Sequence, residues 1–189
     1  MKRALLFALL LAACQEDVAQ NTDPLPLTAE TVGHFCQMNL LEHEGPKGQV
    51  HLEGLPGMPL YFSQVSDLVV YLRLPEQSHK VLAIYVSDMG TPGATWAEPG
   101  AANWIDATTA HYVVGADVIG GMGAPEVVPF ADLAAAETFA LQHGGSIMAL
   151  TAIPDAAVTA PGAGAGADAA AGDDDYARRL RALSGKTGG

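Results

Sequence analysis

The chain has 189 residues, of which 21 are acidic and 9 are basic, so its net charge at pH 7 is −12. So few cations argue against nucleic-acid binding, which requires a basic footprint on the protein surface. The acidity fits an exported soluble domain or a surface that attracts cations, and charge alone does not choose between the two.

The first residues have the form of an export signal. Two basic residues precede an apolar run over residues 4–13, which is too short to span a bilayer because a transmembrane helix needs about 20 residues. The run ends in Leu-Ala-Ala-Cys, which resembles a bacterial lipobox. We therefore expect a signal peptide over residues 1–13 and a lipid on Cys14, in preference to an ordinary signal with an unrelated cysteine. Gln15, in place of aspartate, slightly favours the outer membrane.

The remaining chain divides into three parts by composition. Residues 14–26 predict a flexible tether between the lipid and the folded part. Residues 27–155 have the size of one compact domain. Residues 156–189 are rich in alanine and glycine and poor in bulky apolar side chains. Such a segment cannot bury enough apolar surface to offset its ordering entropy, so we predict a disordered tail.

The folded part alternates strand and helix patterns. Apolar residues at three-and-four spacing predict two helices, over residues 66–74 and 132–143. Each helix follows two strand patterns and precedes another, so the order ββαβ occurs twice. This order predicts an α+β fold of two ββαβ modules in one domain, with a chance coincidence as the alternative. The six predicted strands are 49–52, 59–62, 81–86, 110–114, 126–130 and 146–150.

Cys36 and Met38 form the first candidate site. If Cys14 carries lipid, Cys36 has no intramolecular partner, and an odd thiol in an exported protein forms dimers, reacts or binds metal. In an extended segment both sulfurs would lie on one face. Thiolate and thioether are soft donors that together favour Cu(I) over hard cations. The alternative is that both residues are ordinary core fillers.

Met122 is the second candidate, since three glycines surround it in the stretch Gly-Gly-Met-Gly at residues 120–123. Such a backbone leaves the thioether with little steric cover, which suits a contact that must be reached from outside. The alternative is a tight turn into the following strand. The stretch is not a phosphate-binding loop, because no Gly-Lys-Ser/Thr follows.

Several short motifs agree with one known family. They are FCQMNL, GQVHL, PLYFSQVSDLVVYLRLPE, IYVSDMG, WIDATTAHYVVG, GGMGAPEVVPF and AAAETFALQHGG, in that order. Together the region from about residue 32 to 155 resembles the NosL family, which consists of lipid-anchored accessory proteins of nitrous oxide reductase in denitrifying bacteria. The resemblance implies two ββαβ modules, similar to part of the organomercurial lyase architecture. It also implies a periplasmic location and Cu(I) delivery to the copper–sulfide centre of that reductase, with the reductase apoprotein and its assembly proteins as partners.

The resulting hypothesis is a Cu(I) chaperone whose metal is held by Cys36, Met38 and a third residue. Met122 is our choice for the third position. The competing ligands, which spacing does not exclude, are His34, His43, His51 and His111. This chain has Gln37 between the two sulfurs, where the commoner family motif has glycine. That difference puts the local backbone conformation in question.

Two other functions are alternatives to copper delivery. Cys36 could be an enzymatic nucleophile, or the chain could cleave carbon–mercury bonds, but no second cysteine is available to share a metal and no cysteine-hydrolase signature occurs. We therefore expect no enzymatic activity. The remaining alternative is a metal-free scaffold of the same assembly system, in which both sulfurs are inert packing.

Overall fold

The computed structural model describes residues 19–77 and 79–159. The first half of this region contains β1 (Gly48–Leu52), β2 (Leu60–Phe62), α1 (Val65–Arg73), β3 (Val81–Val86) and β4 (Ile105–Asp106). These four strands form one antiparallel sheet in the order β2-β1-β3-β4. A single 3-10 turn, Leu40–Glu42, precedes β1.

The second half forms a smaller antiparallel sheet. Its elements are β5 (His111–Val114), β6 (Val128–Phe130), α2 (Leu133–His143) and β7 (Ser146–Met148), followed by a 3-10 turn at Leu150–Ala152 and α3 (Asp155–Thr159). The strand order is β6-β5-β7, so the first strand of the half lies in the centre, as β1 does between β2 and β3. In both halves the chain runs strand, strand, helix, strand.

The helix ends follow local chemistry with one exception. Asp132 caps α2, since its side chain accepts a hydrogen bond from the N–H of Ala135, and α2 ends at Gly144 with a positive φ of 73°. At α1 the start differs by one residue from the predicted residue 66. This helix begins at Val65 after Gln64, whose side chain makes no cap hydrogen bond.

One apolar core joins the two halves. Val50, Phe62 and Leu68 from the first half pack in the same buried cluster as Tyr112 and Val127 from the second. A second cluster lies between the smaller sheet and α2. Because the two sheets share buried apolar surface, they form one unit. The prediction of a compact α+β domain is confirmed.

The segment before residue 27 runs along the first sheet. The amide of Gln20 donates to the carbonyl of Leu52 at 2.9 Å and accepts from the N–H of Gly54 at 3.1 Å. Farther along, the side chain of Gln49 exchanges two hydrogen bonds with the backbone of Leu25. These bonds fasten the N-terminal segment to β1 at two points.

The predicted boundaries therefore shift at both ends. The expected flexible tether over residues 14–26 is attached to the sheet from Gln20 onward, and the expected tail from 156 begins inside α3. The predicted signal peptide at 1–13 and Cys14 lie outside the described residues, as does the chain from 160 onward. Within the described ranges, no helix is long and apolar enough to cross a membrane.

Candidate metal centre

Cys36 lies in a closed loop between residues 33 and 38. The N–H of Gly33 donates to the carbonyl of Met38 at 3.0 Å, and the N–H of His34 donates to Tyr61 in β2 at 2.7 Å. Cys36 is a half-buried free thiol, and a Cβ added to Gly33 would lie only 2.5 Å from its Sγ. The loop thus holds the thiol against the backbone of Gly33 and beside the end of β2.

The conformation of Gln37 corrects the expected sulfur geometry. Its φ is +55°, in the left-handed region, so the segment from Cys36 to Met38 is a turn and not the extended segment on which the expected placement of both sulfurs on one face depends. The turn is closed by the backbone of Gln37, whose N–H donates to the carbonyl of Gly33 at 2.9 Å. Glycine adopts this conformation without strain, which gives a physical reason for glycine in the commoner motif.

The side chain of Gln37 compensates for this backbone conformation. Its Nε2 donates to the carbonyls of Gly33 and His34 at 3.2 and 2.7 Å. We expect Gln37→Gly to change the free energy of unfolding by less than about 1 kcal/mol, because relief of the left-handed strain offsets the lost hydrogen bonds. Gln37→Val, at the same position, should cost about 2 kcal/mol, since a β-branched residue tolerates positive φ poorly. Urea unfolding of the three proteins tests this, and equal stability of the two variants would contradict it.

Met122 is carried by a tight turn, as the alternative interpretation of the glycine stretch expected. The N–H of Gly120 donates to Ala124 at 2.8 Å, and the N–H of Gly123 donates back to Gly120 at 2.9 Å. The turn does not bury the thioether, because Met122 is 41% exposed. Met38 is exposed to the same extent. The turn presents the methionine to solvent.

The other glycines of this turn allow close contact with the Cys36 side of the molecule. A Cβ on Gly121 would lie 2.6 Å from the carbonyl oxygen of Glu44 and 2.8 Å from the Cβ of His43. A Cβ on Gly120 would lie 2.5 Å from the amide nitrogen of Gln64, whose chain neighbour Ser63 borders Gly33. The structure therefore brings Cys36, Met38 and the Met122 turn to one end of the domain, which we call the metal end.

The four competing histidines lie in different surroundings. His51 is buried, and its Nε2 is 2.7 Å from the side-chain oxygen of Gln49. His34 packs against the rings of Phe35, Phe62 and Tyr71. His111 begins β5, on the smaller sheet.

His43 adjoins the Met122 turn. Its Nδ1 lies 3.3 Å from the carbonyl oxygen of Gly121, and its buried Nε2 has no hydrogen-bond partner. A histidine that donates from Nδ1 to a carbonyl keeps a lone pair on Nε2, the arrangement that metal-binding histidines use. His43 is thus the histidine with the clearest claim to the third position.

The sulfurs are surrounded by exposed apolar and acidic side chains. Among the described residues, no three histidine, cysteine, aspartate or glutamate side chains are grouped to hold a metal. Soft sulfur donors fit Cu(I) and not Mg²⁺ or Ca²⁺. The exposed apolar side chains are Val32, Phe35, Leu41 and Ile119, and the exposed acidic ones are Glu30, Glu42 and Glu44.

A buried ionisable pair, Lys47 and Glu126, lies under the metal end and was missed by the sequence analysis. Burial lowers the pKa of Lys47 to about 8, a shift opposed by the charges of Glu126, Glu44 and Cys36. Its Nζ donates to the carbonyls of Glu44 and Gly45 at 2.9 and 2.6 Å. The available signal was a carboxylate at the start of the apolar run Glu-Val-Val-Pro-Phe.

Glu126 supplies the cap that α1 lacks. Its Oε1 accepts from the N–H of Ser66 in the first turn of α1 at 3.1 Å and from the N–H of Val127 at 2.8 Å. Burial raises the pKa of this carboxyl to about 8, against the lowering effect of the two N–H groups and of Lys47. The carboxyl therefore ties the second half of the chain to the helix of the first half.

Comparison with known proteins identifies the family. Residues 24–158 match the NosL family model. The chain belongs to the NosL family. It is 55% identical over 180 residues to the copper-binding lipoprotein NosL of Achromobacter cycloclastes, covering 95% of this chain and 92% of that protein. It is 33% identical over 156 residues to the protein of the same name from Stutzerimonas stutzeri, covering 81% and 78%.

A solved NosL structure has the same fold. The crystal structure of the copper chaperone NosL from Shewanella denitrificans matches with a TM-score of 0.66 and 30% sequence identity, over 72% of this chain and 98% of that one. The NosL family match contains Cys36, Met38 and Met122, whereas Cys14 precedes it. None of these NosL names denotes a catalytic activity, which agrees with the expectation that the chain is not an enzyme.

Proposed function

We propose that this chain is a Cu(I) chaperone that delivers copper for the copper–sulfide centre of nitrous oxide reductase. The observation that carries the proposal is a free, half-buried thiol at Cys36 at the same end of the domain as the exposed thioethers of Met38 and Met122. The names of the NosL relatives, which include copper binding and copper chaperone, support it.

The donor chemistry explains both binding and release. Cys36 contributes a thiolate, and Met38 and Met122 contribute neutral thioethers, which are soft ligands suited to Cu(I). Because Met38 and Met122 are each 41% exposed, an acceptor protein can reach the metal and replace one thioether at a time. The acidic side chains at the metal end attract the cation before the sulfurs bind it.

The third ligand is tested by spectroscopy of the loaded protein. X-ray absorption of the Cu(I) form of Met122→Ala should show the loss of one sulfur scatterer, whereas His43→Ala should leave the spectrum of the wild type unchanged. If His43→Ala instead removes a nitrogen scatterer, Nε2 of His43 takes the third position. Met58→Ala is a matched control, since Met58 is exposed but belongs to the loop between β1 and β2.

Copper delivery requires a partner protein and a shared cellular location. We propose that the partners are the nitrous oxide reductase apoprotein and its accessory assembly proteins, on the periplasmic side of a membrane to which Cys14 attaches the chain. The lipobox supports lipid attachment, and Gln15 favours the outer membrane.

A transfer assay tests the delivery step. The Cu(I)-loaded chain, mixed with copper-free reductase and the accessory proteins without oxygen, should restore nitrous oxide reduction. An equal amount of the Met58→Ala variant should do the same. Equal restoration by Cys36→Ser, with the same amount of Cu(I) supplied in the buffer, would instead favour the scaffold function.

The two halves have the same order of strands and helix, which supports one further part of the proposal. We take the two ββαβ modules to be an internal duplication, of the kind expected from similarity to the organomercurial lyases. The same central position of β1 and β5 in their sheets supports this interpretation.

A further inference from the structure

The described chain begins at a fixed place on the domain, at the end of β1 opposite Lys47. Gln20 is hydrogen-bonded to Leu52, the last residue of β1, and to Gly54, two residues later. The opposite end of β1 is Gly48, next to the buried Lys47. Four residue steps along β1 separate Gly48 from Leu52, which is about 13 Å at about 3.3 Å per residue. The N-terminal segment therefore enters at the end of the first sheet that lies away from Cys36.

The length of chain before Gln20 limits where a lipid can sit. Only five residues lie between it and Cys14, so the six steps from Cys14 to Gln20 span at most about 21 Å when fully extended. A lipid on Cys14 would therefore keep the end of β1 that carries Gly54 close to the bilayer surface. This step rests on the lipid attachment that we propose above, and copper plays no part in it.

The surface at this end has apolar side chains that suit a lipid interface. The loop between β1 and β2, residues 53–59, exposes Met58 to 61% together with Pro56, and Leu55 is half-buried beside it. Leu74, at the end of α1, is exposed and lines the same cavity as Leu55, a cavity whose opposite wall includes His34 at the start of the Cys36 loop. We call this loop and Leu74 the tether face.

The charges also differ between the two ends. Of the three lysine and arginine residues in the described ranges, Lys47 is buried, whereas Arg73 and Lys80 are exposed beside the tether face. Arg73 pairs with Asp155, and the backbone of Lys80 binds that of Glu53. Glu53, Glu76 and Asp155 offset these two cations, whereas the metal end has exposed glutamates without an exposed lysine or arginine among the described residues. An anionic bilayer therefore repels the tether face less than it repels the metal end.

We propose that the tether face, with Met58 at its tip, rests on the lipid bilayer and that Cys36 and Met122 point away from it. The bilayer is the partner of this surface. The metal end then stays open to proteins in the aqueous compartment while the chain remains anchored.

Spin labels at the two ends test this orientation. The full lipidated chain, with acylation checked by mass spectrometry, is placed in vesicles of phosphatidylethanolamine and phosphatidylglycerol. Single nitroxides are attached through Met58→Cys or, as the matched control at the metal end, Leu41→Cys, each combined with Cys36→Ser so that one thiol reacts. Both native side chains are exposed. Collision with a water-soluble nickel complex and with oxygen is measured with and without vesicles.

The proposal expects a several-fold loss of nickel access and a gain of oxygen access at residue 58 on vesicle binding, with little change at residue 41. Similar access at both positions, or protection of residue 41 alone, would overturn it. The unacylated chain should leave residue 58 accessible in the presence of vesicles, because the lipid keeps this face at the bilayer. Since the labelled proteins lack Cys36, the result is independent of whether the copper proposal holds.

Discussion

Replacing Cys36 by serine should lower the Cu(I) affinity by roughly 100-fold or more, which corresponds to about 3 kcal/mol. A serine hydroxyl is a hard, neutral donor in place of a soft thiolate, and the two thioethers that remain carry no charge to balance the cation. The measurement is competition with a chromogenic Cu(I) chelator under anaerobic conditions, with the protein first freed of metal.

Two further variants test whether the loss of Cu(I) affinity is specific to the Cys36 thiolate. Met58→Ser removes an exposed thioether from the tether face and should leave the affinity unchanged. Met38→Ser should give a smaller loss than Cys36→Ser, because a neutral ligand is lost while the thiolate remains. Retention of one Cu(I) per chain by Cys36→Ser against the same chelator would exclude the proposed site, and the exposed methionines would then need another explanation.

Replacing Glu126 by alanine should lower the free energy of unfolding by about 3 kcal/mol at pH 7. The variant leaves the buried N–H groups of Ser66 and Val127 without their acceptor and opens a cavity between the two halves of the domain. Urea unfolding followed by circular dichroism gives the value. Glu137→Ala, at an exposed position of α2, should change stability by less than about 0.5 kcal/mol. A loss below about 1 kcal/mol for Glu126→Ala would show that water replaces the carboxyl.

The pH dependence separates the charge of Glu126 from its hydrogen bonds. Its pKa is about 8 when folded, against an ordinary value of 4.5, so between these pH values the folded chain keeps a proton that the unfolded chain releases. The stability from this protonation is fully present below about pH 4.5 and is lost as the pH rises to about 8. Unfolding free energies from pH 5 to 8 should therefore decline in the wild type, by about 3 kcal/mol, and Glu126→Gln should flatten the decline.

Lys47 adds a second slope above this range. Its pKa falls from 10.5 to about 8 on folding, so between those values the unfolded chain binds more protons, and stability rises again with pH. The two groups together place a stability minimum near pH 8. If the unfolding free energy of Glu126→Gln declines from pH 5 to 8 as much as that of the wild type, the decline arises from other groups.

Periodicity was sufficient to predict the helices and most of the strands. The helix patterns at 66–74 and 132–143 each lie within about one residue of α1 and α2, because apolar spacing and a terminal proline or glycine are local signals. The cap of α1 could not be predicted in this way. Glu126 reaches Ser66 from 60 residues away, and only the packing of the two halves reveals that contact.

For the candidate site, residue types singled out Cys36, Met38 and Met122, and the structure places all three at one end of the domain, while their role as ligands stays a prediction. Two sulfurs on one face would require an extended backbone, which the φ of +55° at Gln37 contradicts. That angle depends on the contacts of Gln37 with Gly33 and His34, which the spacing of the sulfurs does not contain.

The origin of the sulfurs in two separate parts of the chain has a consequence for biogenesis. Cys36 precedes the first sheet and Met122 follows β5, so an unfolded chain holds them apart, and only the folded core brings them together. Copper bound by both would therefore add its binding free energy to that of folding. A newly exported chain that is still unfolded would compete poorly for Cu(I), and the metal would be acquired only after folding is complete.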